Sequence, residues 1–187
     1  MTVKYPFYLN ACLLHSLRPV CRSVLTLIIL LLLLIPHLAY GEIRDGKANR
    51  IVSGIISFSH WPGLNSPPQL CVFSSARHLS LPENITSPAA TFTVVYIATV
   101  SQLATRRCDA LYFGAENSQQ QAKTIQQLQG RAVLTLAESS PECTVGAAFC
   151  LIFQPDRTLF SVNLDSLARS GVRVSPDVLL LSRQRVE

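Results

Sequence analysis

Residues 111–137, LYFGAENSQQQAKTIQQLQGRAVLTLA, decide the fold class. Leu111-Tyr112-Phe113 is short and apolar throughout, and Gly114 ends it, so it reads as a strand covered on both faces. From Ser118 to Gln129 the pattern becomes helical. The segment is polar, with Ala122, Ile125 and Leu128 as its core stripe and Gly130 as its C-terminal cap. Ala132 to Ala137 (AVLTLA) is apolar again and predicts the next strand. Strands without a polar face, separated by a helix, imply a sheet covered on both sides.

The same grammar extends outward in both directions. Upstream, Asp45 can cap a first helix whose Ala48, Ile51, Val52, Ile55 and Ile56 share one face, and Trp61-Pro62-Gly63 is expected to stop it. Leu70–Phe73 and Phe92–Ile97 (FTVVYI) read as strands. Between them, Ser74–Pro88 is polar and punctuated by proline, with room for one helical turn. Downstream, Ala147–Phe153 and Thr158–Val162 form a hairpin around Gln154-Pro155-Asp156-Arg157. Asn163 caps a short helix that Gly171 closes, Val172-Arg173-Val174 is extended, and Ser175-Pro176-Asp177 starts a last helix. In that helix Val178–Leu181 is apolar all round, and Arg183 and Arg185 favour its end. The expected architecture is α/β: a single domain with a mixed, mostly parallel sheet of about five or six strands and helices on both faces.

The first 41 residues carry Lys4, Arg18 and Arg22 and no acid, and Val24–Ile35 is apolar except for Thr26. Ala39-Tyr40-Gly41 then offers small residues at the −3 and −1 positions of a cut before Glu42. This is the layout of a secretory signal, and the run falls short of the ~20 apolar residues of a spanning helix. Residues 1–41 are therefore expected to be a cleaved signal peptide and 42–187 the functional domain, in the periplasm. The remainder keeps all 11 acids and 13 of the 16 Lys and Arg, a formal charge of +2 instead of +5. No basic run exceeds Arg106-Arg107, so nucleic acid is not an expected partner.

Four of the six cysteines lie beyond residue 41: Cys71, Cys108, Cys143 and Cys150. An even number in an exported chain argues for two disulfides. Four cysteines allow three pairings; the six residues between Cys143 and Cys150 make a local bridge easy to close, which leaves Cys71 with Cys108. A zinc site is the rival reading, but paired CxxC spacings are missing. For catalysis there is little to assemble. His60 and His78 are the only histidines after residue 41, and neither an HExxH pattern, a G-x-S-x-G elbow nor a P-loop occurs. Cys150 falls in an apolar strand, where a thiol would be inert. The chain reads as a non-enzyme with no cofactor and no metal.

Two stretches carry a resemblance. Ala48–Pro62, ANRIVSGIISFSHWP, resembles the opening helix of YfiR-type (HmsC-like) proteins, and Phe160–Arg183, FSVNLDSLARSGVRVSPDVLLLSR, is similar to their closing signature. Between them LCVFSS, CDALYFG and ECTVGAAFCLIF resemble the cysteine-bearing segments of the two-disulfide subgroup. The resemblance implies a periplasmic repressor that binds the periplasmic sensor part of an inner-membrane diguanylate cyclase. Cyclic di-GMP would thereby be kept low, restraining biofilm and exopolysaccharide. It further implies relief by an OmpA-like outer-membrane lipoprotein, a homodimer, and the bridges Cys71–Cys108 and Cys143–Cys150. Where many relatives have a Gly-Gly-Met-Ile-like step, this chain has Gly146-Ala147-Ala148-Phe149-Cys150.

A partner surface is expected around Ser161, Leu167, Val172 and Val174, with Arg169 and Arg173 as rim charges that act more on association rate than on affinity. The alternative is a small-ligand sensor acting on a different membrane signalling partner, which needs a concave apolar site with a few polar groups. A thiol enzyme is a third possibility, and disulfide redox state is a candidate for tuning the repressor.

Overall fold

The computed structural model describes residues 46–83, 92–140 and 142–182. Along them run α1 (Lys47–Ser57), β1 (Ser59–His60), β2 (Gln69–Phe73), β3 (Thr93–Ile97) and a 3-10 turn (Val100–Ala104). There follow β4 (Ala110–Phe113), α2 (Ser118–Gln127), β5 (Leu134–Ala137), β6 (Phe149–Phe153) and β7 (Thr158–Val162). The last elements are α3 (Leu164–Arg169), β8 (Arg173–Val174) and a closing 3-10 helix (Pro176–Ser182). Six strands form one sheet in the order β3-β2-β4-β5-β6-β7. The first five are parallel, and β7 turns back antiparallel to β6.

Pleating divides the core in two. Leu70, Val72, Tyr112, Leu134, Leu136, Phe149 and Leu151 face one side, where α1, Trp61, Leu79 and Val178 cover them. Cys71, Phe73, Leu111, Phe113, Ala137 and Cys150 face the other, beneath Leu103 and Leu128. The doubly covered, mixed, mostly parallel sheet is the one the apolar strands predict. Both disulfides, Cys71–Cys108 and Cys143–Cys150, lie on the second side.

Several local readings are corrected. The helix α1 ends at Ser57, before Trp61-Pro62, because Ser59 and His60 leave it to pair with Val174 and Arg173 of β8. Its N-cap is Gly46, at φ 70°; Asp45 lies outside the described residues. No helical turn forms in the described part of 74–88, where the chain is held by side-chain bonds instead. The last helix is 3-10 and not α; Arg183 and Arg185 lie outside the described residues. In α2 the predicted stripe is rotated. Gln121 and Thr124 are buried with Leu128, whereas Ala122 and Ile125 are only half-buried. That rotation bears directly on the site.

Candidate functional site

In an open α/β sheet the favoured ligand position is the crevice beyond the carboxyl ends of the strands where the winding reverses. Here that point lies between β2 and β4, since β3 flanks β2 on one side and β4 on the other. The chain fills it with its own loop. A Cβ added at Gly114 would come within 2.3 Å of the Ala76 nitrogen, so only glycine lets the two strand ends approach this closely. Glu116 accepts bonds from the Ser75 hydroxyl and the Gly114 N–H, each at 2.8 Å. Glu138 accepts from the Arg77 and His78 N–H groups and from the Tyr112 hydroxyl at 2.9 Å. Burial, and then the charge of Glu138, push the Tyr112 hydroxyl far above its ordinary range, so it remains a donor. These carboxylates serve to fasten the loop. Among the described residues no cluster of His, Cys, Asp or Glu could hold a metal ion.

A concavity lies elsewhere. A groove of about 320 Å³ runs between α2 and α3, with Thr135 of β5 and Val133 just before that strand on its floor and Thr144–Gly146 as one wall. Gln121 explains why it stays open. This glutamine is 0% exposed and uses both ends of its amide. Its nitrogen donates to the Glu116 carbonyl at 2.7 Å and to Ser140 Oγ at 2.8 Å, and its oxygen accepts from the Ala147 N–H at 3.2 Å. A polar residue therefore takes the inward position that the periodicity gave to an apolar one. The apolar stripe of α2, Ala122 and Ile125, is turned sideways to line the groove. Opposite it, Ser166 donates to the Gly146 carbonyl at 2.8 Å and ties α3 to the loop closed by Cys143–Cys150. Val145 on that loop is 52% exposed.

The residues expected to meet a partner divide by location. Arg169 lines the groove, paired with Asp165 one turn earlier on α3. Both are well exposed, so the pair contributes little to stability. Leu167 and Val174 pack half-buried against the main core, and Val172 is buried in it. Arg173 is exposed on β8, opposite His60. Ser161 is half-buried on β7, the strand at one edge of the sheet. Arg169 thus stands at the groove, while Arg173 and Ser161 belong to other parts of the fold. Sequence reading gave Ile125 to the core and passed over Val145 and Leu164. Only Leu164 had a visible signal, an apolar residue directly after the Asn163 cap, and it is 74% exposed.

Together these features define a disulfide-bridged α/β domain whose switch point is self-filled and whose groove borders its two outer helices. The chain belongs to the YfiR/HmsC-like family, which matches residues 47–183. Membership makes it a YfiR-type regulator, in a family of generally non-enzymatic proteins. Among the described residues no helix is long and apolar enough to cross a membrane, and the two disulfides accord with a periplasmic setting.

Proposed function

We propose that this protein is a periplasmic brake: it binds the periplasmic sensor part of an inner-membrane diguanylate cyclase and holds the enzyme in its inactive state. Inhibition of this kind needs only that the inactive state be bound more tightly than the active one. The observation that carries the site is that Ala122 and Ile125 of α2, half-buried, line the groove while Gln121 and Thr124 take the inward positions. Ile125 and Val145 are the apolar contacts in this reading, and Arg169 is a rim charge that aids encounter. Leu167 and Val172 hold α3 and β8 in place behind the surface, while Ser161, Val174 and Arg173 lie outside the groove and take no part in this contact. The repressor acts as a homodimer, and an OmpA-like outer-membrane lipoprotein relieves it by competing for the protein.

The test is cyclic di-GMP in cells carrying such a cyclase, with the chain present, deleted, or restored. Deletion should raise the nucleotide. The full chain should reverse the rise, and a form lacking residues 1–41 should not. Val145→Asp, at a half-exposed position, should weaken repression while the melting temperature holds. No rise on deletion would refute the brake, and an unaffected Val145→Asp would move the contact away from the groove.

The groove's volume also lies at the lower end of small-ligand sites. A ligand tuning the contact would appear as a stoichiometric mass in native mass spectrometry, and its absence would dismiss that second reading.

A further inference from the structure

The strand β7 ends the sheet on one side, and among the described residues no strand pairs with its outer edge. Its inner edge is fully used. Asn163 donates to the Ala148 carbonyl at 2.8 Å at one end of the β6–β7 ladder, and Gln154 donates to the Arg157 carbonyl at 2.9 Å at the other. Antiparallel bonding alternates along a strand. With residues 157 and 163 bonded inward, the N–H and C=O groups of Thr158, Phe160 and Val162 point outward. Such an edge is a template for another strand unless something blunts it. Nothing in Thr158-Leu159-Phe160-Ser161-Val162 does so. It has no charge and no proline, and its register with β6 runs unbroken over all five residues.

We infer that the outer edge of β7 pairs antiparallel with β7 of a second copy about a twofold axis at Phe160. The inference deepens the homodimer contained in the proposed function and rests on that part alone. In this register Phe160 faces its own copy and Thr158 faces Val162 of the second, so every outward backbone group gains a partner. A twofold interface must be self-complementary, and the ends of β7 are. The turn Asp156-Arg157 of one copy comes beside Asn163-Leu164-Asp165 of the other. Arg157 thereby meets the acidic start of α3, and Leu164, the most exposed large apolar side chain described, is covered. The opposite edge strand β3 is flanked by Phe92, Ala98 and Thr99 and has no charge to set a register.

On the other face of the ladder Leu159 of one copy lies directly opposite Ser161 of the second, both half-buried in the single chain. Leu159→Lys with Ser161→Lys would set like charges across both symmetric pairs and should weaken the dimer at least about tenfold. Leu159→Lys with Ser161→Glu sets opposite charges there and should restore it. The full chain, purified from cells, is compared by sedimentation equilibrium, with cyclase repression scored separately. A native protein that stays monomeric, or a double-lysine variant that dimerises normally, overturns the edge pairing and leaves the brake untouched. Amide exchange of the native protein guards against a misfolded variant. Thr158, Phe160 and Val162 should exchange more slowly as protein concentration rises, and rates independent of concentration overturn the pairing. Protection of these amides only when the cyclase's sensor portion is added would assign the edge to that partner and refute the second copy.

Discussion

Replacing Gln121 with leucine would leave three groups without their partner: the Ala147 N–H, the Ser140 hydroxyl and the Glu116 carbonyl. A buried polar group so stranded costs about 1–3 kcal/mol. Gln121→Leu is therefore expected to lower the unfolding free energy by about 3 kcal/mol or more, measured by urea titration. Thr124→Ala removes one bond, to the Gln120 carbonyl within the same helix, and should cost under about 1 kcal/mol. Equal losses would mean that the amide clamps nothing. Gly146, at φ 100°, belongs to the same clamp, because a Cβ there would meet the Gln121 side-chain oxygen at 2.5 Å. The clamp was not legible in the sequence. Periodicity counts apolar residues, and a glutamine that satisfies its own amide in the interior is invisible to such a count.

At the scale of elements, legibility followed burial. Strands covered on both faces announce themselves as apolar runs, and β2, β4, β5 and β6 lie where those runs are; β2 and β4 start one residue earlier, and β5 and β6 two residues later. The faces of α1 and the Asn163 cap of α3 were legible for a similar reason: five apolar residues and one capping side chain each have a single physical use there. What escaped depends on distant partners. The two-residue β1 exists only because β8, more than a hundred residues later, pairs with it, and that pairing ends α1 before Trp61. The rotation of α2 needs Ser140 and Ala147, which no local pattern couples to it. The bridges make a prediction at this scale. Loop-closure entropy gives about 2.5 kcal/mol for the short Cys143–Cys150 loop and about 4 kcal/mol for Cys71–Cys108. Denaturant titration of Cys71→Ser/Cys108→Ser and Cys143→Ser/Cys150→Ser should reproduce that order. The reverse order would show that the short bridge does more than close a loop.

Across the whole molecule, the described chain ends are fastened to each other. The closing 3-10 helix packs on α1, with Leu181 against Gly54, and β8 pairs with β1. Removing residues 176–187 uncovers the face of α1 that Val178 and Leu181 cover. From the apolar area exposed, it should cost about 3 kcal/mol, read from thermal or urea unfolding. An equally stable truncation would show that the tail only rests on the surface. The filled crevice at Gly114 matters at this scale too. A doubly wound domain ordinarily keeps a berth for a metabolite at its switch point, and this one has moored its own backbone there. Shortening the loop at 75–79 would reopen the berth, so the same scaffold offers a starting point for an engineered small-molecule receptor.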